Sequence, residues 1–177
     1  MSLPRRSDAA RSAAFDVLRT VRRDDAYANL VLPALLAQRK LAARDAAFAT
    51  ELTYGTLRGQ GIYDAVVAVN LSRPLDKLDP DVLDVLRLGA HQLLAMRVSA
   101  HAAVDESVNL VRKKVGHGPS GLVNAVLRKV GARDLDSWLV QLAPDRAEDP
   151  IGYLALAHSH PRWVVEAVRD ALGGDLD

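Results

Sequence analysis

Cysteine is missing from all 177 residues, which removes disulfides, thiolate nucleophiles, cysteine-ligated zinc and iron–sulfur clusters from the chemistry this chain can carry. Long runs of alternating β-branched residues are also missing, so nothing reads as a half-buried strand. No stretch approaches the roughly 18 uninterrupted apolar residues of a spanning helix. The opening segment, residues 1–11, is polar and basic with no apolar core behind it, unlike an export leader. A soluble, unexported protein is expected, with no membrane partner and with a cysteine usage that suits the reducing cytoplasm. A large excess of either charge sign is absent too, the formal net charge being +1.

That near-neutral total conceals a sorting by position. Between residues 112 and 133 the chain places Arg112, Lys113, Lys114, Arg128, Lys129 and Arg133 without one Asp or Glu. The first 23 residues hold Arg5, Arg6, Arg11, Arg19, Arg22 and Arg23 against Asp8 and Asp16, whereas the tail from Asp134 carries nine acids and three Arg. Cations concentrated in two segments can build a local field strong enough to hold a phosphate backbone, although solvated helix faces produce the same pattern.

Ala and Leu dominate, and apolar positions recur at three and four residues almost everywhere, so an all-α chain is predicted. A first helix follows Ser7 and Asp8, stacks Ala10, Ala13, Ala14, Val17, Leu18 and Val21 on one face, and closes at Asp24 and Asp25. Beside that face Arg11, Phe15, Arg19 and Arg22 share one side. Guanidinium groups around an aromatic ring suit RNA, while a Phe15 at the core edge flanked by snorkelling arginines is the alternative. Residues 27–38 read as a second helix broken or restarted at Pro33. A third spans 44–58, and Gly59, Gln60 and Gly61 turn it into a fourth over 62–70. Asp79, Pro80 and Asp81 are a strong start signal for a central helix that runs to Met96, with Asp84, Arg87 and His91 as its polar line and Gly89 allowing a close neighbour.

Residues 102–115 form a further amphipathic helix whose basic end complements its dipole. Gly116, Gly118 and Gly121 spell G-x-G-x-x-G, but a helix rather than a strand precedes them, so the dinucleotide fingerprint is rejected. A helix beginning at Ser120 and Gly121 beside Lys113, Lys114 and His117 retains some capacity for phosphate. Within it Asn124 is expected to face inward and cap a neighbour, since a mid-helix Asn needs a partner, the alternative being an outward Asn124 that contacts RNA or a catalytic domain. Beyond Arg133, Asp136 caps a short helix with Trp138, and a last helix starts at Ser159, His160 and Pro161 and ends at Gly173 and Gly174. His158 and His160 lack a carboxylate or thiol at ligand spacing, and no metal site is assigned.

Four strings in order carry a family likeness: Arg44 to Ala49 running on through Glu51 to Arg58, Leu86 to Leu94, His101 to Val104, and Leu122 to Arg128. Together they resemble the N-terminal RNA-binding region of the RsmB (Sun/Fmu) family of 16S ribosomal RNA cytosine-C5 methyltransferases, a NusB-like helical bundle. The stretch from Tyr153 to Trp163 resembles the extension that joins that bundle to the catalytic half. The resemblance implies residues 1–133 as an RNA-binding bundle and 134–177 as a helical extension toward a catalytic domain of the same polypeptide. It implies S-adenosylmethionine as cofactor of the parent protein, with none in this chain and no catalytic residue here, since the family's attacking cysteine has no counterpart. It also implies 16S rRNA as partner and the basic first helix as the RNA-facing element, which by position brings in Arg5, Arg6, Arg11, Arg19, Arg22 and Arg23. Lys113, Lys114 and Arg128 form a second set. A stand-alone antitermination factor of the NusB type, or a protein-interaction bundle, would share the same core.

Overall fold

Helix follows helix along the chain, as the apolar period anticipates. The computed structural model describes residues 6–174, with side chains from residue 9 onward. In order they form α1 (Arg6–Asp24), α2 (Ala28–Arg39), α3 (Ala43–Arg58), α4 (Gln60–Ala68), α5 (Pro80–Leu94), α6 (Ala100–Lys114), α7 (Ser120–Val130), α8 (Leu135–Leu142), α9 (Pro150–Ala157) and α10 (Arg162–Ala171). One 3-10 turn, Leu75–Lys77, precedes α5, and no strand occurs among the described residues.

The start of α5 follows the local chemistry. Asp79 accepts hydrogen bonds from the Asp81 and Val82 amides at 2.8 and 3.4 Å, and Pro80 occupies the first helical position, where its missing N–H costs nothing. From there α5 becomes the axis of the bundle, packing against α1, α3, α4, α6 and α7. Val85, Leu86 and Leu88 are fully buried, and full burial of side chains of this size contributes roughly 1.5–3 kcal/mol each. Gly89 is where α7 comes closest: a Cβ there would lie 2.5 Å from Leu127 Cδ1. On α1 the small residues Ala10 and Ala13 meet Ala49 of α3, which lets those two helices approach tightly.

Three local expectations are corrected. α2 runs through Pro33 without a break. Both Pro33 and Asn29, whose carbonyl the proline leaves unpaired, are exposed, so water can replace the lost bond. Gly59 alone links α3 to α4, because Gln60 and Gly61 already belong to the fourth helix. The cap of α8 is Asp134 rather than Asp136, its carboxylate accepting from the Ser137 amide at 2.9 Å.

The C-terminal helices pack onto the α4 end of the bundle. Trp138 is buried and its Nε1 donates to the Val130 carbonyl at 2.9 Å. Farther on, the Ile62 amide donates to Ser159 Oγ at 3.1 Å. Asp149 caps α9 through the Gly152 amide at 2.9 Å and takes both guanidinium nitrogens of Arg162 at 2.6 and 3.0 Å, and those bonds hold its carboxyl below the usual range. Gly173 and Gly174 end α10 in the left-handed region, with φ of 74° and 95°.

Candidate nucleic-acid interface

The arginine stripe on α1 turns toward the protein. Phe15 is fully buried, with Lys114 Nζ 5.6 Å from its ring centroid, so it offers no platform to a base. Arg11 is 4% exposed; its Nε donates to Gln92 Oε1 at 2.7 Å and its guanidinium lies 5.0 Å from the Phe48 centroid. Arg19 pairs with Asp81 at 3.3 Å, and Arg22 bridges Asp81 at 2.5 Å and Asp84 at 2.9 Å. Arg87 continues the chain of charge from Asp84 at 3.3 Å to Asp64 at 2.7 Å. Three arginines and three aspartates thus tie α1 to α5 and α4. Burial pushes the Asp84 carboxyl upward while Arg22 and Arg87 pull it down, and burial opposes the Arg22 charge less strongly than its two aspartates favour it.

Lys114 is also committed inward, donating to both oxygens of Asp16 at 2.8 and 2.6 Å, where Arg39 converges on the same carboxylate. Of the α1 set with described side chains, Arg23 alone is exposed and outside these ion pairs. Arg5 lies outside the described residues, as does the side chain of Arg6. The second basic set behaves differently. Arg112, Lys113, Arg128 and Lys129 are all exposed, on the packed pair α6 and α7. Arg112 Nε donates to Ser120 Oγ at 3.2 Å, and a groove of about 430 Å³ runs beside it past Asp105, Asn109 and Asn124. Asn124 faces this groove and accepts from Arg128 Nε at 3.1 Å, so its partner is one turn along its own helix rather than a neighbouring helix end.

A third cationic place escaped the sequence reading. Arg11, Arg44 and Arg97 line a cleft of about 510 Å³ together with Asp45, Phe48 and Val98. Arg44 opens α3 and Arg97 follows α5, so 53 positions separate them along the chain and no local periodicity relates them. The available signal was weak: two cations flanking strings already set apart as family-like.

Residues 8–132 match the model of the NusB family. The chain belongs to that family. Two relatives extend the comparison. Over 98% of its length this NusB-family chain is 55% identical to a Mycobacterium tuberculosis protein that carries a methyltransferase name. Over 91% of its length it is 35% identical to the ribosomal RNA small subunit methyltransferase B of Pseudomonas syringae pv. tomato. It spans 39% and 34% of those two proteins. A chain of the solved structure described as "Crystal Structure of a Plectonemic RNA Supercoil" shares the fold, with a TM-score of 0.66, 21% identity, and coverage of 71% of this chain and 94% of that one.

Inside the NusB-family bundle, the lower end of the α5 polar line makes a second buried network. The Tyr63 hydroxyl, pushed up to about 12 by burial with help from Glu51, lies 2.8 Å from His91 Nδ1. The Glu51 carboxylate facing Nε2 favours the tautomer in which Nδ1 accepts from that hydroxyl. An accepting Nδ1 leaves the ring proton on Nε2, which faces Glu51 Oε1 at 3.6 Å. Burial pushes the His91 pKa below its usual value, Arg58 assisting and Glu51 opposing. The unfolded chain therefore binds the proton first as pH falls through about 6.5, so the stability His91 contributes is complete above that pH and is lost below it. Urea unfolding at several pH values is expected to show a decline of up to about 1.4 kcal/mol per pH unit from this residue. His91→Gln should flatten the curve by that amount, and parallel curves would refute the assignment.

Proposed function

We propose that this chain is the RNA-binding part of an S-adenosylmethionine-dependent methyltransferase that modifies cytosine C5 in 16S rRNA, with residues 1–133 as the binding bundle and 134–177 as an extension toward the catalytic part. The observation that carries this reading is the match, over about a third of their length, to relatives named for small-subunit rRNA methylation, combined with the exposed cations of α6 and α7. In this reading the chain holds structured RNA so that one base reaches a remote active site, a positioning contribution that lowers the entropy cost of reaction. Cofactor binding and the attacking thiolate belong to the remainder of the polypeptide, because this chain has no cysteine and no strand among its described residues. The action is cytoplasmic; among the described residues no helix is long and apolar enough to cross a membrane.

The RNA surface is formed by Arg112, Lys113, Arg128 and Lys129, with exposed Arg23 of α1 as a further contact. Arg11, Arg19 and Arg22, which the resemblance places in the same role, and Lys114 of the second set serve it indirectly by setting α1 against α5 and α6. The exposed apolar side of α10, with Val168 50% exposed and Leu172, just past the helix end, 63% exposed, is the surface that the remainder of the polypeptide covers.

Salt-dependent binding of a small-subunit rRNA hairpin tests the surface. Replacing Arg112, Lys113, Arg128 and Lys129 together with Gln is expected to weaken binding and to reduce the slope of log affinity against log salt by roughly 3, as about 0.7–0.9 is lost per phosphate contact. Thermal unfolding should barely move, since the four side chains are exposed. An unaltered slope would overturn the assignment.

A further inference from the structure

The cleft lined by Arg11, Arg44 and Arg97 differs from the other cationic places in what surrounds its charge. On α1, α2, α5 and α6, Arg22, Arg39, Arg87 and Lys114 each meet a carboxylate. Arg44 and Arg97 are exposed and make no hydrogen bond or ion pair among the described residues. With Asp45 as the one acid in the lining, the wall carries three positive charges against one negative. α3 begins at this wall, and its cap residue Ala42 has no side chain able to satisfy the leading amides. Guanidinium groups and uncapped amides converge on a space where an anion gains from both.

The volume narrows the ligand further. At about 510 Å³ the cleft exceeds what a phosphate group fills and falls in the range of sites for small organic groups. Its inner side is apolar, formed by half-buried Phe48 and Val98, and the buried Arg11 guanidinium backs the Phe48 ring at 5.0 Å. Asp45 supplies an acceptor beside it. Cations for a phosphate, a flat wall for a base and an acceptor for an amino or imino donor on the base edge are the elements by which proteins hold a nucleotide that has left its helix.

We propose that this cleft is a subsite for one unpaired RNA nucleotide, its phosphate held by Arg44 and Arg97 and its base set against Phe48. The proposal rests on the RNA-binding reading above and adds a place, separate from the α6–α7 surface, where the protein distinguishes unpaired from paired RNA.

The test compares the 177-residue chain with its Arg44→Gln, Arg97→Gln variant, using a labelled single-stranded RNA of mixed sequence and the duplex of the same sequence. On the single strand the variant is expected to bind roughly tenfold more weakly and to lose about 1.4 from the salt slope, two phosphate contacts at about 0.7 each. Duplex binding and the melting temperature should stay within error. Unchanged single-strand affinity in the variant, with the parent chain still binding RNA, overturns the subsite alone. An equal loss on the duplex overturns it in favour of a general electrostatic patch. Displacement of the RNA by an equimolar nucleoside monophosphate or polyglutamate peptide overturns RNA as the occupant. Failure of the parent chain to bind either RNA removes the RNA reading itself.

Discussion

Arg22→Met combined with Arg87→Met is expected to lower stability by about 3 kcal/mol, near the lower end of what breaking a buried ion pair costs because Arg22 is partly exposed. The reason is Asp84, which is 1% exposed and has these two guanidinium groups as its ion-pair partners. Either arginine alone leaves the other in place, so each single variant should lose less than half of the total. With both removed, a carboxylate is left buried among α1, α4 and α5 and must protonate or unfold its surroundings. Burial already pushes the Asp84 carboxyl upward, and without its partners that pull is unopposed. The native state of the double variant then binds a proton more readily than the unfolded chain, so its deficit should shrink as pH is lowered toward 4. Adding Asp84→Leu should recover most of the loss at neutral pH. A deficit that persists after that third change would show that packing by the arginine stems, rather than charge, holds α1 in place. Urea unfolding of the parent chain and the four variants at two pH values separates these outcomes.

Gly55→Ala is expected to cost about 2–3 kcal/mol, the upper part of the range for overpacking a well-filled interior. Exchanging Gly for Ala in a helix ordinarily gains roughly 0.5–1 kcal/mol, so the sign itself is diagnostic. A Cβ on Gly55 would stand 2.2 Å from both Cε1 and Nε2 of His91. The imidazole is held on its other side by Tyr63, whose own ring packs so close to Gly59 that a Cβ there would lie 2.4 Å away. α3 therefore meets α4 and α5 along a seam where a glycine on each of two successive turns faces a ring, and neither ring can retreat without displacing the other. Shortening His91 to Ser should rescue Gly55→Ala while destabilising the parent chain, a reversal of sign that a non-specific helix effect would not produce.

Much of this architecture was legible because it is local or periodic. Asp79 and Pro80 define a helix start with their own atoms, and the apolar spacing of α5 and α6 determines which sides are buried. Gly89 was readable as a close approach because an otherwise bulky apolar helix leaves one position without a side chain. The α1 stripe was legible as one side of its helix, while its neighbour stayed open between RNA and the core edge. Periodicity places Arg11, Arg19 and Arg22 together, yet whether they meet water or protein depends on Gln92, Asp81 and Asp84, residues that a sequence pattern cannot bring across from another helix. The same limitation concealed the cleft of Arg44 and Arg97, and it turned Asn124 outward, where an arginine one turn away satisfies it. Charge clustering picked out Arg112, Lys113, Arg128 and Lys129, and all four are exposed on α6 and α7.

The polar anchors of α1 have a consequence for the order in which the protein can assemble. Arg22, Arg11 and Lys114 make contacts that span 62, 81 and 98 residues of chain. A ribosome adding about 5–20 residues per second would expose the first helix roughly 4–16 seconds before Gln92 follows Arg11 into solution. α2 and α3 can shelter its alanine side in that interval, but its guanidinium groups then face water. α1 thus leaves the tunnel well before the partners that lock it, and a slow synthesis rate or a pause before α5 would prolong that interval.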